Sequence, residues 1–173
     1  MINTRVLYKN NIEYRNDFIK ATEVFESLTD FMSAPEIQTE LEKTHVLNAK
    51  SGEIQKIILK KTSELGFASE KKGLFDDIPV KQLRPDYYLK IDETSGVIME
   101  VERGKTIANN MDILDLWKCH ICKKANLLFL VVPNIRQTEK GHNKIFETVE
   151  RRMETFFKPE NYINVDGVFI IGY

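Results

Sequence analysis

The chain has 173 residues and carries 25 Lys+Arg against 26 Asp+Glu, a formal net charge of −1. With 42% hydrophobic and 29% charged residues it is long and apolar enough for one globular core, which excludes a disordered chain and a polybasic wrapper of nucleic acid. It has no apolar run of membrane-spanning length, no secretory leader after Met1–Arg5, and only Cys119 and Cys122, so a cytoplasmic protein without membrane contact, disulfide scaffold or structural zinc is expected.

In chain order, Phe18, Ala21, Val24, Phe25 and Leu28 recur at helical steps and predict a helix over 16–30. Pro35 interrupts it, and 36–46 predicts a second, shorter helix. Residues 48–52 are a hinge or cap. Ile54, Ile57, Ile58 and Leu65 form one side of a helix over 51–65, which Gly66 ends. The period then changes. Residues 84–91 and 97–102 read as two strands around the turn 92–96, an antiparallel hairpin. A helix follows over 110–123, with Ile113, Leu114, Trp117 and Ile121 on its buried side. The unbroken apolar run Leu127–Val132, stopped by Pro133, predicts a central strand. An amphipathic helix over 142–157 and a strand over 165–171 complete an α/β domain with a mixed sheet covered by helices. Residues 1–50 are assigned to an N-terminal helical extension packed on a core of 51–173.

Asp86 is followed fourteen residues later by Glu100 and sixteen later by Glu102. Residues i and i+2 of a strand share a face, so Glu100 and Glu102 point one way while Met99 and Val101 point into the opposite, packed side. If the hairpin brings Asp86 beside Glu100, three carboxylates converge. Such a group raises its own pKa values unless a cation neutralises it. Hard oxygen donors suit Mg²⁺ or Mn²⁺, which can activate a water and stabilise charge on a phosphoryl group. The competing reading is a solvated strand face.

Pro85-Asp86, then Glu100-Val101-Glu102 after a hairpin, resembles the PD-(D/E)XK nuclease superfamily. Glu102 stands where that pattern has lysine, which is similar to the acid-x-acid variant of some type II restriction endonucleases. The resemblance implies a restriction-endonuclease-like fold, a mixed central sheet flanked by helices, in which Asp86 and Glu100 are metal ligands. It implies a metal-dependent endonuclease hydrolysing DNA phosphodiester bonds, with duplex DNA as partner and a homodimer presenting two sites. Glu102 would orient or deprotonate the attacking water, or help hold a second metal. Lys118, or Lys105, would replace the missing motif lysine. Glu53 is the matching additional acid on the preceding helix, with Glu70 as its rival.

Arg84, Arg103, Lys105 and Lys56 are candidate DNA phosphate contacts around this site. Asn109 and Asn110 are candidate helix caps, with Asn109 also a candidate DNA contact. One of Tyr87 and Tyr88 is expected in the core and the other in the cleft. Cys119 and Cys122 read as buried thiols. Three rivals remain at this level: a catalytically silent DNA-binding or structural module of the same fold, a nuclease acting on RNA, and a small interaction domain with solvated carboxylates.

Overall fold

The computed structural model describes residues 1–46, 51–69, 71–80, 83–103, 106–138 and 141–173. Lys105, Glu70 and most of the expected hinge at 48–52 lie outside these residues.

Helices α1 (Asn16–Ser33), α2 (Pro35–Thr44) and α3 (Ser51–Glu64) follow a first strand β1 (Asn3–Tyr8). A two-residue β2 (Ala68–Ser69), then β3 (Tyr87–Lys90) and β4 (Gly96–Val101), form one side of the sheet. After α4 (Met111–Ile121) come β5 (Leu127–Val132), a small hairpin β6 (Ile135–Thr138) and β7 (Gly141–Lys144), α5 (Ile145–Phe156) and β8 (Gly167–Gly172).

The main sheet has six strands in the order β1-β8-β5-β4-β3-β2. The pairs β4–β5 and β5–β8 are parallel, and those at the two sides are antiparallel. This is the mixed α/β architecture expected. Strands β4, β5 and β8 are buried along their whole length, which is why β5 and β8 read as apolar runs, while Glu100 interrupts β4.

Alternation along these strands divides the interior in two. Val97, Met99, Leu127, Phe129 and Phe169 face a core closed by α1, α2 and α3. Ile98, Leu128, Leu130, Val168 and Ile170 face the second core, under α4 and α5. Phe129 and Phe169 are fully buried, with ring centroids 5.0 Å apart. Burial of each such side chain contributes about 1.5–3 kcal/mol.

Two differences from the sequence reading concern edges. No strand was expected in 1–50, yet β1 pairs with β8 from Asn3↔Gly172 to Tyr8↔Gly167. Residues 141–144 are strand rather than the start of the helix, and α5 begins at Ile145.

The β3–β4 turn is built locally. Asp92 Oδ1 accepts from the amides of Thr94 (2.8 Å) and Ser95 (2.7 Å), and Ser95 Oγ donates to Asp92 Oδ2 at 2.6 Å. These bonds lower the Asp92 pKa to about 2, the Ser95 hydroxyl contributing most. At Gly96 a Cβ would stand 2.7 Å from the carbonyl oxygens of both Leu89 and Lys124, so only glycine admits this approach of three backbones. The turn fixes the register Tyr87↔Met99, and one step further places Asp86 opposite Glu100.

Candidate functional site

On the second-core face of β4, Ile98 is apolar and Glu100, two residues on, is acidic. Glu100 is only 3% exposed, and a carboxylate so placed needs partners. The helix above supplies them. Helix α4 turns Asp112, Asp115, Leu116, Lys118 and Cys119 inward. Lys118 Nζ donates to Glu100 Oε1 at 2.7 Å and stands 2.9 Å from Asp115 Oδ1. The contact with Asp115 is a buried ion pair within α4. Both Asp115 oxygens are buried.

Asp86 locks on from the other strand. Its amide donates to Glu100 Oε2 at 3.2 Å, and its Oδ2 accepts from the Val101 amide at 2.9 Å. Glu102 continues past the end of β4, half-buried, with its amide bonded to the Val131 carbonyl at 2.8 Å. Tyr173 donates to the Glu102 carbonyl at 3.0 Å. Asp112 is fully buried, and Arg152 of α5 donates to both its oxygens at 2.9 and 3.3 Å.

Burial, then the Asp115 charge, pushes Glu100 well above the usual carboxylate range, with Lys118 opposing and Asp86 adding. Glu102 rises to about 7 through burial, then repulsion from Asp115 and Asp86. Asp115 rises to about 6, again through burial first, with Lys118 holding it down. Burial opposes the Lys118 charge, but Glu100 and Asp115 outweigh it and keep its pKa above the ordinary value.

A second acidic group at the opposite end of the sheet makes the contrast clear. There Asp17 and Asp166 share Arg15 and Asn126, and Lys9 adds to Asp166. Burial raises both, but these partners win and hold both carboxyls below the usual range. That group is charge-matched. At the end of β4, Glu100 and Asp115 share the buried ammonium of Lys118, and the shifts of Glu100, Glu102 and Asp115 are upward. Groups perturbed in this way mark candidate functional sites.

The donor set is chemically apt for a hard divalent cation: four carboxylates, two of them, Glu100 and Asp115, nearly sealed from water. In the present arrangement, no three acidic, histidine or cysteine side chains among the described residues stand together at metal-ligand spacing. Lys118 occupies the position between Glu100 and Asp115.

The other expected site residues are placed as follows. Glu53 is exposed and ion-paired with Lys56 at 2.8 Å, and it forms no three-member ligand group with Asp86 and Glu100. Lys56 is accordingly engaged by its helix neighbour. Arg103 turns inward, buried, and donates to the Val46 carbonyl, so it does not belong to an exposed patch. Arg84 and Asn109 are exposed. Asn110 occupies the N-cap position of α4 in the left-handed region (φ 53°), without a side-chain cap bond. Tyr87 and Tyr88 are both buried, their hydroxyls donating to the carbonyls of Gln55 and Lys124. Cys119 and Cys122 are buried free thiols, as expected.

The face of α4 was misread. Leu114 and Trp117 were expected inside and are 40% and 38% exposed. Lys118 was named as the replacement for the motif lysine, but Asp112 and Asp115 were missed for the same reason, since an apolar period cannot register that a helix covers an acid. The available signal was Asp115 and Lys118, three residues apart, on the helix following the acidic strand.

The structure of restriction endonuclease BglII complexed with a DNA 16-mer matches with a TM-score of 0.45 and 10% identity, over 99% of this chain and 77% of that one. No family model matches the chain, and no curated protein matches its sequence. No described helix is long and apolar enough to cross a membrane.

Proposed function

We propose that this chain is a divalent-metal-dependent deoxyribonuclease with a restriction-endonuclease-like fold, hydrolysing phosphodiester bonds of duplex DNA. The supporting observation is the buried acidic group around Glu100, in which Asp115 and Lys118 of α4 meet Glu100 and the hairpin register sets Asp86 against it. Asp86 and Glu100 are the residues to hold Mg²⁺ or Mn²⁺. Asp115 takes the part first given to Glu53, because it is buried and shares Lys118 with Glu100. When bound, the ion supplies Lewis acidity toward a phosphoryl oxygen and lowers the pKa of a water.

The chain's own residues do the rest. Lys118 offers a fixed positive charge beside the reacting phosphate, set by two carboxylates instead of a flexible surface stem. Glu102 is less buried than Glu100 and is the carboxylate open to the attacking water and its proton. One acidic centre per chain cuts one strand, so double-strand cleavage calls for a homodimer.

Plasmid nicking with Mg²⁺, Mn²⁺ or EDTA tests the reading. Wild-type protein is expected to nick only with metal, and Glu100→Gln to lose at least about 100-fold in rate. Equal cleavage by both proteins would refute the assignment of Glu100. One observation favours a second reading, a catalytically silent DNA-binding or structural module. Lys118 already sits between Glu100 and Asp115 as an internal counter-ion. Duplex binding without cleavage in any metal, and no metal-dependent change in stability, would select that reading.

A further inference from the structure

Tyr88 and Lys90 stand two residues apart on β3, on the sheet face that carries Glu100, and Asp86 directly precedes the strand. Tyr88 and Lys90 line a recess of about 350 Å³ with Lys71, Lys72 and Lys124. The Lys124 carbonyl accepts from the Tyr88 hydroxyl at 2.9 Å, which ties that loop to the strand. A neighbouring recess shares Lys72 and Gly73 with the first and adds Arg84, two residues before Asp86. The two recesses thus run together from Lys124 back toward the acidic group.

Charge is segregated along this path. Its cations are Lys71, Lys72, Lys90, Lys124 and Arg84, against Glu93 and Asp76. Glu93 pairs with Lys90. A locally basic lane on a chain of net charge −1 favours a polyanionic partner.

We propose that this lane is a docking track for the phosphodiester backbone of a nucleic acid duplex whose scissile phosphate lies at the acidic group. The inference rests on the nuclease reading for the location of the cut. Lys90 lies four residues beyond Asp86, roughly 13 Å at 3.3 Å per residue. That distance spans about four base steps of 3.4 Å. The lane therefore holds flanking phosphates and carries no sequence preference of its own.

The experiment measures binding of a fluorescently labelled duplex in EDTA, where no cleavage occurs, as a function of salt. It compares wild type with Lys72→Ala/Lys90→Ala/Lys124→Ala. Each lost phosphate contact lowers the log–log salt slope by about 0.9, so the triple variant should lose about 2.7. Between about 50 and 200 mM salt, wild type should then lose about 40-fold more affinity than the variant. A control variant, Lys20→Ala/Lys43→Ala/Lys158→Ala, removes exposed lysines elsewhere and should leave the slope unchanged. Equal slopes for wild type and the lane variant, or an equal loss in the control, overturn the track. The nuclease reading survives that result if metal-dependent nicking still depends on Glu100. A slope loss confined to the lane variant, with no nicking by wild type, supports the track and removes the nuclease reading. Lysine-dependent retention on phosphatidylserine–phosphatidylcholine vesicles, with no duplex binding, assigns the lane to a membrane and overturns the proposal.

Discussion

Replacing Lys118 with methionine keeps the length of the side chain and removes its charge. Glu100 and Asp115, 3% and 0% exposed, then lose the ammonium that stands 2.7 and 2.9 Å from them. Removing one partner of a buried ion pair costs about 3–5 kcal/mol, because an uncompensated charge stays behind. With a urea m-value of about 1–3 kcal/mol/M, the midpoint should fall by roughly 2 M. Trp117, the only tryptophan, sits on α4 directly before Lys118, and its fluorescence reports the transition. The deficit should be smaller in acid, where Glu100 and Asp115 can take up protons instead of remaining charged. Lys118→Met combined with Glu100→Gln and Asp115→Asn should recover most of the loss, since a neutral set leaves no orphaned charge. A single variant within about 0.5 kcal/mol of wild type at neutral pH would refute Lys118 as the compensating cation.

Four further outcomes follow from the same geometry. Folded Glu102 has a pKa of about 7 against an ordinary 4.5, so the folded state holds more protons than the unfolded state between those values. The metal-free protein should therefore be most stable below about pH 4.5 with respect to this group, and lose on the order of 3 kcal/mol as pH rises through about 7. Urea midpoints across that range check the sign, and Glu102→Gln should flatten the profile. Added Mg²⁺ or Mn²⁺ should raise the unfolding free energy at neutral pH by about 2.7 kcal/mol at a hundredfold excess over Kd, read from the urea transition, and Asp86→Asn should abolish the rise. Glu53→Ala should change stability by no more than about 1 kcal/mol and leave nicking within twofold, because its exposed pair with Lys56 contributes little. Arg152→Ala should destabilise by about 3–5 kcal/mol, because Asp112 is left fully buried without its guanidinium.

The parts of the fold legible in sequence are those whose burial is uniform or cleanly periodic. Leu127–Val132 was placed to the residue because a strand covered on both faces must be apolar throughout. The β3–β4 hairpin was legible because Asp92, Ser95 and Gly96 write the turn chemically. Strand β1 was not, since five of its six residues are not fully buried and it joins the sheet through backbone pairing, which leaves no apolar pattern. The β6–β7 hairpin is likewise almost devoid of buried side chains. At the site, the strand spacing of Glu100 and Glu102 was readable from one segment. The placement of Asp115 required knowing which face of α4 lies over Glu100, a fact that resides in packing between elements.

The pairing of β1 with β8 has a kinetic consequence. The partners are about 160 residues apart along the chain. At 5–20 residues per second, β1 is made roughly 8–30 s before the strand it needs. During that interval its backbone donors and acceptors have no sheet to join, and the segment is open to chaperones or to another chain's edge. Closing so distant a contact also makes this edge a slow step in refolding. Chains shortened before β8 are therefore expected to leave both β1 and β5 with exposed edges and to aggregate.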